Sequence, residues 1–174
     1  MGARIEHTAT FDHPIHEVFS ALTAEDVLRA RLAEVGGDDA TLLTHAISGN
    51  EVTYRMRQCL RADTVPRTVR ELLRGDLEVH REHTWRLPAA DDSSVRGSAR
   101  ATVAGVPGEV TAVSELTARG DATGTSCVLR LTGEATVRIP LVGGRFERMI
   151  VEHLDTLLDK EDRFTESYLA RHAC

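Results

Sequence analysis

The chain has 174 residues, of which 41% are hydrophobic and 28% charged, a composition typical of a folded globular domain with a substantial core. Its formal net charge of −6 argues against the basic face that non-specific nucleic-acid binding requires. No apolar run reaches the roughly 18 residues of a transmembrane helix, and the N-terminal segment lacks the apolar core of a signal peptide. The three cysteines are widely separated and show no zinc-ligand spacing. We therefore expect a cytoplasmic protein that forms one domain over residues 1–174.

The first third of the chain predicts one strand and two short helices. Side chains alternate from Arg4 to Phe11, which indicates a half-buried strand. Pro14 suits the first position of a helix, and an amphipathic segment follows it. Thr23 with Asp26 resembles a capping box that opens a second helix. The Gly36-Gly37 pair is expected to end that helix.

After these glycines the apolar period changes from helical to alternating, which predicts six further strands. Gly49-Asn50 is a hairpin signal between the first two of them. Pro66 precludes a central strand over residues 64–75, so this segment is predicted to be a helical turn or a packed loop. Residues 91–92 and 119–122 are predicted turns. The predicted strands are 42–48, 51–62, 76–87, 95–103, 108–117 and 125–138.

The C-terminal segment from Val142 to Arg171 predicts one long helix. Its apolar residues recur in steps of three and four, with one turn skipped at Lys160 and Glu161. A helix of about 27 residues would run about 40 Å at its usual rise, so we expect a sheet curved around it. Charged residues between the apolar positions, Glu147 and Asp162 among them, are interpreted as a solvated face. The apolar stripe comprises Phe146, Ile150, Leu154, Leu157, Phe164 and Tyr168.

Four features of the sequence together suggest a known family. They are the opening strand that ends on Phe11, the helix start at residues 14–19, the last strand from Leu131 to Ile139, and the bend Pro140-Leu141-Val142-Gly143-Gly144. In this order they resemble the helix-grip fold of the START and Bet v 1-like superfamily, which also includes polyketide cyclases and aromatases. The bend is similar to one in an uncharacterised bacterial branch of that superfamily, known as a domain of unknown function. The resemblance covers essentially the whole chain.

The resemblance implies an α+β fold with a seven-stranded curved antiparallel sheet, two short helices after strand 1, and a cavity between the sheet and the long helix. Such cavities bind lipids, sterols, polyketides and other apolar molecules. Polar side chains on the inward strand faces would orient a ligand there, with Arg81 suited to an anionic group. Alternatively, these groups satisfy one another or lie at strand ends in water. The predicted ligand-binding residues are His7, Tyr54, Gln58, Arg81, His83, Trp85, Ser114, Ile150, Leu154 and Leu157.

Three functions remain open on the sequence alone. The first is a binding protein that holds a small apolar molecule. The second is an enzyme of the cyclase or aromatase type, in which two of His7, Tyr54, Arg81 and His83 would meet within hydrogen-bonding reach. The third is an interaction domain with a filled interior and an exposed apolar patch. No nucleophile occurs with a recognisable base and orienting group, and no catalytic residue, metal site or cofactor is predicted. We therefore favour the binding protein and leave its oligomeric state open.

Overall fold

The computed structural model describes residues 2–90, 93–120 and 125–173. The strands are β1 Ala3–Phe11, β2 Thr41–Ser48, β3 Glu51–Leu60, β4 Leu77–Arg86, β5 Ser94–Val103, β6 Gly108–Ala118 and β7 Cys127–Val137. The helices are α1 Ile15–Thr23, α2 Glu25–Val35, α3 Arg67–Arg70 and α4 Gly143–His172, with a short 3-10 turn, Ala62–Thr64, before α3. The predicted turn at residues 91–92, part of the predicted turn at 119–122, and Cys174 lie outside the described residues.

The predicted seven-stranded antiparallel sheet is confirmed, with the strand order β1-β7-β6-β5-β4-β3-β2. The predicted strands begin and end within two residues of the observed ones. β1 pairs with β7 because α1 and α2 carry the chain from one edge of the sheet to the other. The six strands that follow the helices form a meander, and the last of them closes against the first strand. The fold is therefore α+β, with its two terminal elements at one edge of the sheet.

The start of α2 differs from the prediction. The capping box was wrong, because Thr23 is the last residue of α1 and its hydroxyl donates a hydrogen bond to the Phe19 carbonyl at 2.8 Å. Ala24 instead occupies the N-cap position of α2, without a side-chain hydrogen bond. Pro14 likewise precedes α1 as its N-cap residue rather than beginning it. Gly36 ends α2 as predicted.

The long C-terminal helix, α4, is confirmed and has 30 residues, a length of about 45 Å. It packs chiefly against β1 and β7 and against α1 and α2. No helix in the described part of the chain is both long enough and apolar enough to span a membrane. Because of its contacts with β1 and β7, the helix lies over one edge of the sheet and leaves part of the middle strands uncovered.

The charged face predicted for α4 was partly wrong. The Glu147 carboxylate is buried and accepts a hydrogen bond from the backbone N–H of Val137 at 2.9 Å. The pairing of β1 with β7 ends at Ala3 opposite Ala135, so no described residue of β1 lies opposite Val137, and a buried N–H without a partner is costly. Asp162 is partly buried and bonds to the imidazole of His7 in β1 at 2.5 Å. Each of these two carboxylates therefore links α4 to the sheet through a hydrogen bond.

Buried apolar side chains form two separate clusters. The larger cluster packs α1, α2 and the C-terminal end of α4 against the sheet, and includes an edge-to-face contact between Phe19 and Trp85 at 6.1 Å. Gly97 lies under the Trp85 ring, where an added Cβ would come within 2.5 Å of a ring carbon. The smaller cluster joins the α3 segment to the N-terminal part of α4 through Val69 and Phe146. Val65, Leu77, Val137 and Phe146 of the smaller cluster line the candidate site.

Candidate ligand-binding cavity

A cavity of about 360 Å³ lies between α4 and the middle strands of the sheet. This volume is within the range of small-molecule sites. Its walls are mainly aliphatic, and its rim carries the charged side chains of Asp38, Arg61 and Glu109. The aliphatic wall is formed by Val79, Ala101, Val103 and Val110 from the strands and by Met149, Ile150, Leu154 and Leu157 from α4.

The cavity follows from the way in which α4 meets the sheet. Because the helix packs on β1, β7, α1 and α2, some inward side chains of the middle strands, such as Val79, Ala101 and Val103, face open space rather than the helix. Ile150, Leu154 and Leu157 belong to the apolar stripe of α4, yet they are only partly buried. Apolar side chains gain most when water is removed from their surface, so a nonpolar guest would complete their burial.

One end of the cavity is polar, and its side chains are connected by several hydrogen bonds. Arg81 in β4 donates two hydrogen bonds to the buried carboxylate of Glu161 in α4, with N–O distances of 2.6 and 3.3 Å. It donates a third, at 3.1 Å, to the side-chain oxygen of Gln58 in β3. Gln58 in turn donates to the carbonyl of Gly36 at the end of α2, at 3.4 Å. Arg81 and Gln58 line the cavity, so this network forms part of its wall.

A second guanidinium lies behind the first. Arg31 in α2 is only 4% exposed, and its Nε is 4.0 Å from a carboxylate oxygen of Glu161, which is beyond hydrogen-bonding distance. Burial by itself would raise the pKa of Glu161, but the charges of Arg81 and Arg31 outweigh it and lower that pKa to about 2. Glu161 is therefore ionised at neutral pH.

His83 completes the buried polar group. Its ring stacks on that of Tyr54, with centroids 4.8 Å apart. Burial, followed by the nearby charges of Arg81 and Arg31, lowers the pKa of His83 well below the ordinary value of 6.5. The imidazole is thus neutral at pH 7, and the group holds two positive charges against one negative charge. We call Arg31, Gln58, Arg81, His83 and Glu161 the polar cluster.

The predicted binding residues divide into two sets. The set that lines the cavity consists of Gln58, Arg81, Ile150, Leu154 and Leu157. The remaining residues lie outside its wall. Tyr54 and Trp85 belong to the larger apolar cluster, and Ser114 is buried on β6. His83 is half-buried and stacks on Tyr54, its cross-strand neighbour, and His7 faces α4.

His7 also belongs to a small group of possible metal ligands. One atom each of His7, Asp159 and Asp162 lies within 4.8 Å of the other two. Asp159 is exposed, and the hydrogen bond between His7 and Asp162 already accounts for the proximity of those two side chains. The predicted catalytic convergence required two of His7, Tyr54, Arg81 and His83 to meet in the cavity. Tyr54 and His83 stack on each other, but of the four residues only Arg81 lines the cavity, and the ring of His7 bonds to an aspartate of α4.

Comparison with known proteins agrees with this architecture. Residues 6–169 match the model of a family described as a protein of unknown function (DUF2505). The chain belongs to this family. An uncharacterised protein of Mycobacterium tuberculosis, Rv0481c, is 32% identical over 181 aligned residues, which cover 99% of each chain.

Solved structures show the same fold at low sequence identity. A Thermus thermophilus protein, TTHA0849, superposes with a TM-score of 0.60 at 15% identity, over 98% of this chain and all of the other. The Zhui aromatase/cyclase from a Streptomyces species superposes with a TM-score of 0.59 at 13% identity, over 100% and 97% of the two chains. The fold of this family member is therefore the helix-grip fold of the START and Bet v 1-like superfamily, as the sequence resemblance predicted.

The sequence analysis did not identify two members of the polar cluster, Glu161 and Arg31, although the position of each on its helix indicates burial. Glu161 was read as a break in the apolar stripe, yet it lies four residues after Leu157 and three before Phe164, on the same helix face. Arg31 similarly lies three residues after Leu28 on the buried face of α2. A charged residue at an apolar position of a helix indicates a buried ion pair, because an unpaired buried charge is too costly.

The two cysteines among the described residues, Cys59 and Cys127, carry unreactive thiols. Cys127 is buried, and burial raises the pKa of its thiol to about 11. The pKa of Cys59 is also raised, first by desolvation and then by nearby acidic residues such as Asp76. Because the thiolate is the reactive form, neither side chain is prepared to act as a nucleophile.

Proposed function

We propose that this protein binds a small hydrophobic molecule, of lipid or polyketide type, in the cavity between the sheet and α4. The observation that carries the proposal is the cavity itself, with its aliphatic walls and a single polar end at Arg81 and Gln58. Ligand sites commonly combine a mostly apolar wall with a few fixed polar groups that set orientation. The partly exposed apolar residues of α4 supply the driving force, since a guest would remove their surface from water.

The geometry supports binding more than turnover. A cyclase-like enzyme would need an acid–base pair beside the ligand. Of the four residues considered for that role, Arg81 alone lines the cavity, and its guanidinium is held by Glu161. The neutral imidazole of His83 stacks on the ring of Tyr54 and does not line the cavity. The open interior also supports binding more than an interaction domain, for which a filled interior was expected.

Titration with a neutral fluorescent probe, N-phenylnaphthylamine, tests the proposal. We expect saturable binding with enhanced fluorescence, because the probe is apolar and of suitable size. Ala101 lines the cavity, so Ala101→Phe should weaken binding by about tenfold or more by filling space, while Ser98→Phe on the outer face of β5 should leave it unchanged. Native mass spectrometry of purified protein, compared with a denatured sample, should show any small molecule retained from the cell. The absence of both saturable binding and a retained molecule would overturn the proposal.

A further inference from the structure

We propose that the ligand is an amphiphile with a single carboxylate, which lies at the polar cluster while its apolar part extends along α4. This inference rests on the proposed function and deepens it by naming the chemical class. It is drawn from the charge of the cluster and from two buried atoms that have no partner.

The polar cluster carries one positive charge in excess. Arg31 and Arg81 are both buried and both positive, whereas Glu161 is the one ionised acid between them. His83 is neutral and does not change the sum. An uncompensated buried charge is strongly unfavourable, and an anion brought in with the ligand would remove that cost.

Neighbouring acids in the described chain are already engaged or exposed. Asp162, one residue further along α4, is bonded to His7. At the cavity rim, Glu109 pairs with Arg100 at 2.7 Å, and the side chain of Asp38 is 83% exposed. These carboxylates therefore do not supply the second negative charge that the cluster lacks.

Two buried polar atoms of the cluster lack hydrogen-bond partners within the described residues, namely Arg31 Nε and His83 Nε2. Buried polar atoms in folded proteins nearly always have a partner, so two exceptions indicate that the cluster lacks a polar group. Neither Arg31 nor His83 lines the cavity, and a ligand would reach the cluster at Arg81 and Gln58, which do. Arg81 uses three of its five N–H donors on Glu161 and Gln58, which leaves further donors beside the cavity.

The same features distinguish a carboxylate from a neutral polar group. A hydroxyl could accept a hydrogen bond from one unpartnered donor, but it would leave the excess positive charge in place. A carboxylate offers two acceptor oxygens and the missing negative charge together, in the planar geometry that guanidinium groups match. Because most of the remaining wall is aliphatic, most of the remainder of the ligand is expected to be apolar.

Displacement of N-phenylnaphthylamine by matched competitors tests the inference. The competitors are dodecanoate and dodecan-1-ol, which share an alkyl chain and differ in charge. We expect dodecanoate to displace the probe with an affinity at least about tenfold higher than the alcohol, in keeping with the strength of hydrogen bonds to charged groups.

Variants then locate the source of that preference. Arg31→Met removes the excess charge but keeps the hydrogen bonds between Arg81 and Glu161, so the variant should fold and lose the preference for the acid. Arg29→Met, on the exposed face of the same helix, is the matched control and should retain it. Circular dichroism and thermal melting verify that each variant is folded.

The possible outcomes separate the two proposals. If the probe binds but the alcohol competes as well as the acid, or neither displaces it, the inference is overturned while the proposed function stands. If the Arg31→Met variant still prefers dodecanoate to dodecan-1-ol, the inference is also overturned. If the neutral probe does not bind to the unmodified protein and no small molecule is retained, the proposed function itself fails.

Discussion

Arg81 and Glu161 are separated by 80 positions in the sequence, yet their side chains meet through two hydrogen bonds across the space between β4 and α4. Elsewhere along this space the helix and the middle strands are held apart by the cavity. The pair is therefore the polar connection by which α4 is fixed relative to β4, and it also forms one end of the cavity.

Removal of one partner of this pair should destabilise the fold strongly. We expect Glu161→Met to lower the free energy of unfolding by about 3–5 kcal/mol, because it leaves two buried guanidinium groups without a counter-charge. The double variant Arg81→Met, Glu161→Met should recover at least half of that loss, since well-packed apolar side chains replace a buried pair at little cost. Urea unfolding followed by circular dichroism measures both values. Equal losses in the single and double variants would contradict this reading of the pair.

Stability should fall as the pH is lowered through the range in which free histidine becomes protonated. Burial and the charges of Arg81 and Arg31 lower the pKa of His83, so below pH 6.5 the unfolded chain binds a proton that the folded protein excludes. His83→Leu should remove this contribution, which amounts to at most about 2 kcal/mol between pH 6.5 and pH 5. The measurement is the free energy of unfolding at several pH values. An equally steep slope in His83→Leu would contradict the assignment to His83.

A second pH-dependent loss should appear in more acidic solution. The pKa of Glu161 is held at about 2, below its ordinary value of 4.5, because Arg81 and Arg31 outweigh the effect of burial. The stabilisation is fully present above pH 4.5 and is lost as the pH falls towards 2, when the folded carboxylate is finally protonated. The double variant that lacks Arg81 and Glu161 should lose less stability over this range than the unmodified protein. A parallel decline in both would contradict the assignment.

The buried carboxylate at the start of α4 should also contribute to stability. We expect Glu147→Ala to cost about 1–3 kcal/mol, because the backbone N–H of Val137 would be buried without an acceptor. Glu152→Ala is the matched control, since its side chain is exposed on the same helix, and it should change stability by less than about 0.5 kcal/mol. Urea unfolding distinguishes the two. Similar losses for both variants would show that the hydrogen bond to Val137 contributes little.

The glycine under Trp85 should be intolerant of a side chain. Gly97→Ala would bring a Cβ within 2.5 Å of the indole ring, and we expect a loss of about 1–3 kcal/mol from overpacking. Because Trp85 is the only tryptophan of the chain, its fluorescence spectrum should shift in the variant. Gly120→Ala is the control, because an added Cβ there meets no atom of the described residues within 4 Å. An unchanged spectrum and stability for Gly97→Ala would contradict the expected clash.

The fold could be predicted because its signals are local. Alternation over eight to eleven residues identifies each strand, and the spacing of apolar residues identifies α4; neither depends on distant partners. Alternation also placed Gln58 and Arg81 on the inward face correctly. It could not separate Arg81 from His83, which lie two positions apart on the same face of β4, about 7 Å along the strand. Arg81 lines the cavity, whereas His83 stacks on Tyr54 outside the cavity wall. This difference depends on where α2 and α4 cross the sheet.

The polar cluster could not be predicted because its members come from distant segments. Arg31, Arg81 and Glu161 belong to three elements, and nothing in the residues around each of them specifies the other two. Glu147 was misread for a related reason. Its role depends on the end of β1 opposite Ala135, which leaves the Val137 N–H to be satisfied by the helix.

The position of α4 on the edge formed by β1 and β7 has an evolutionary consequence. Most of the side chains that support the helix, on β1, β7, α1 and α2, differ from those that shape the cavity, which come mainly from the middle strands and from the half-buried face of α4; Arg81 belongs to both sets. Since the half-buried cavity-lining side chains are incompletely packed, exchanging one aliphatic residue for another there removes few contacts. Point substitutions at these positions can therefore change the shape of the cavity while the scaffold keeps its stability, so the two properties can evolve separately.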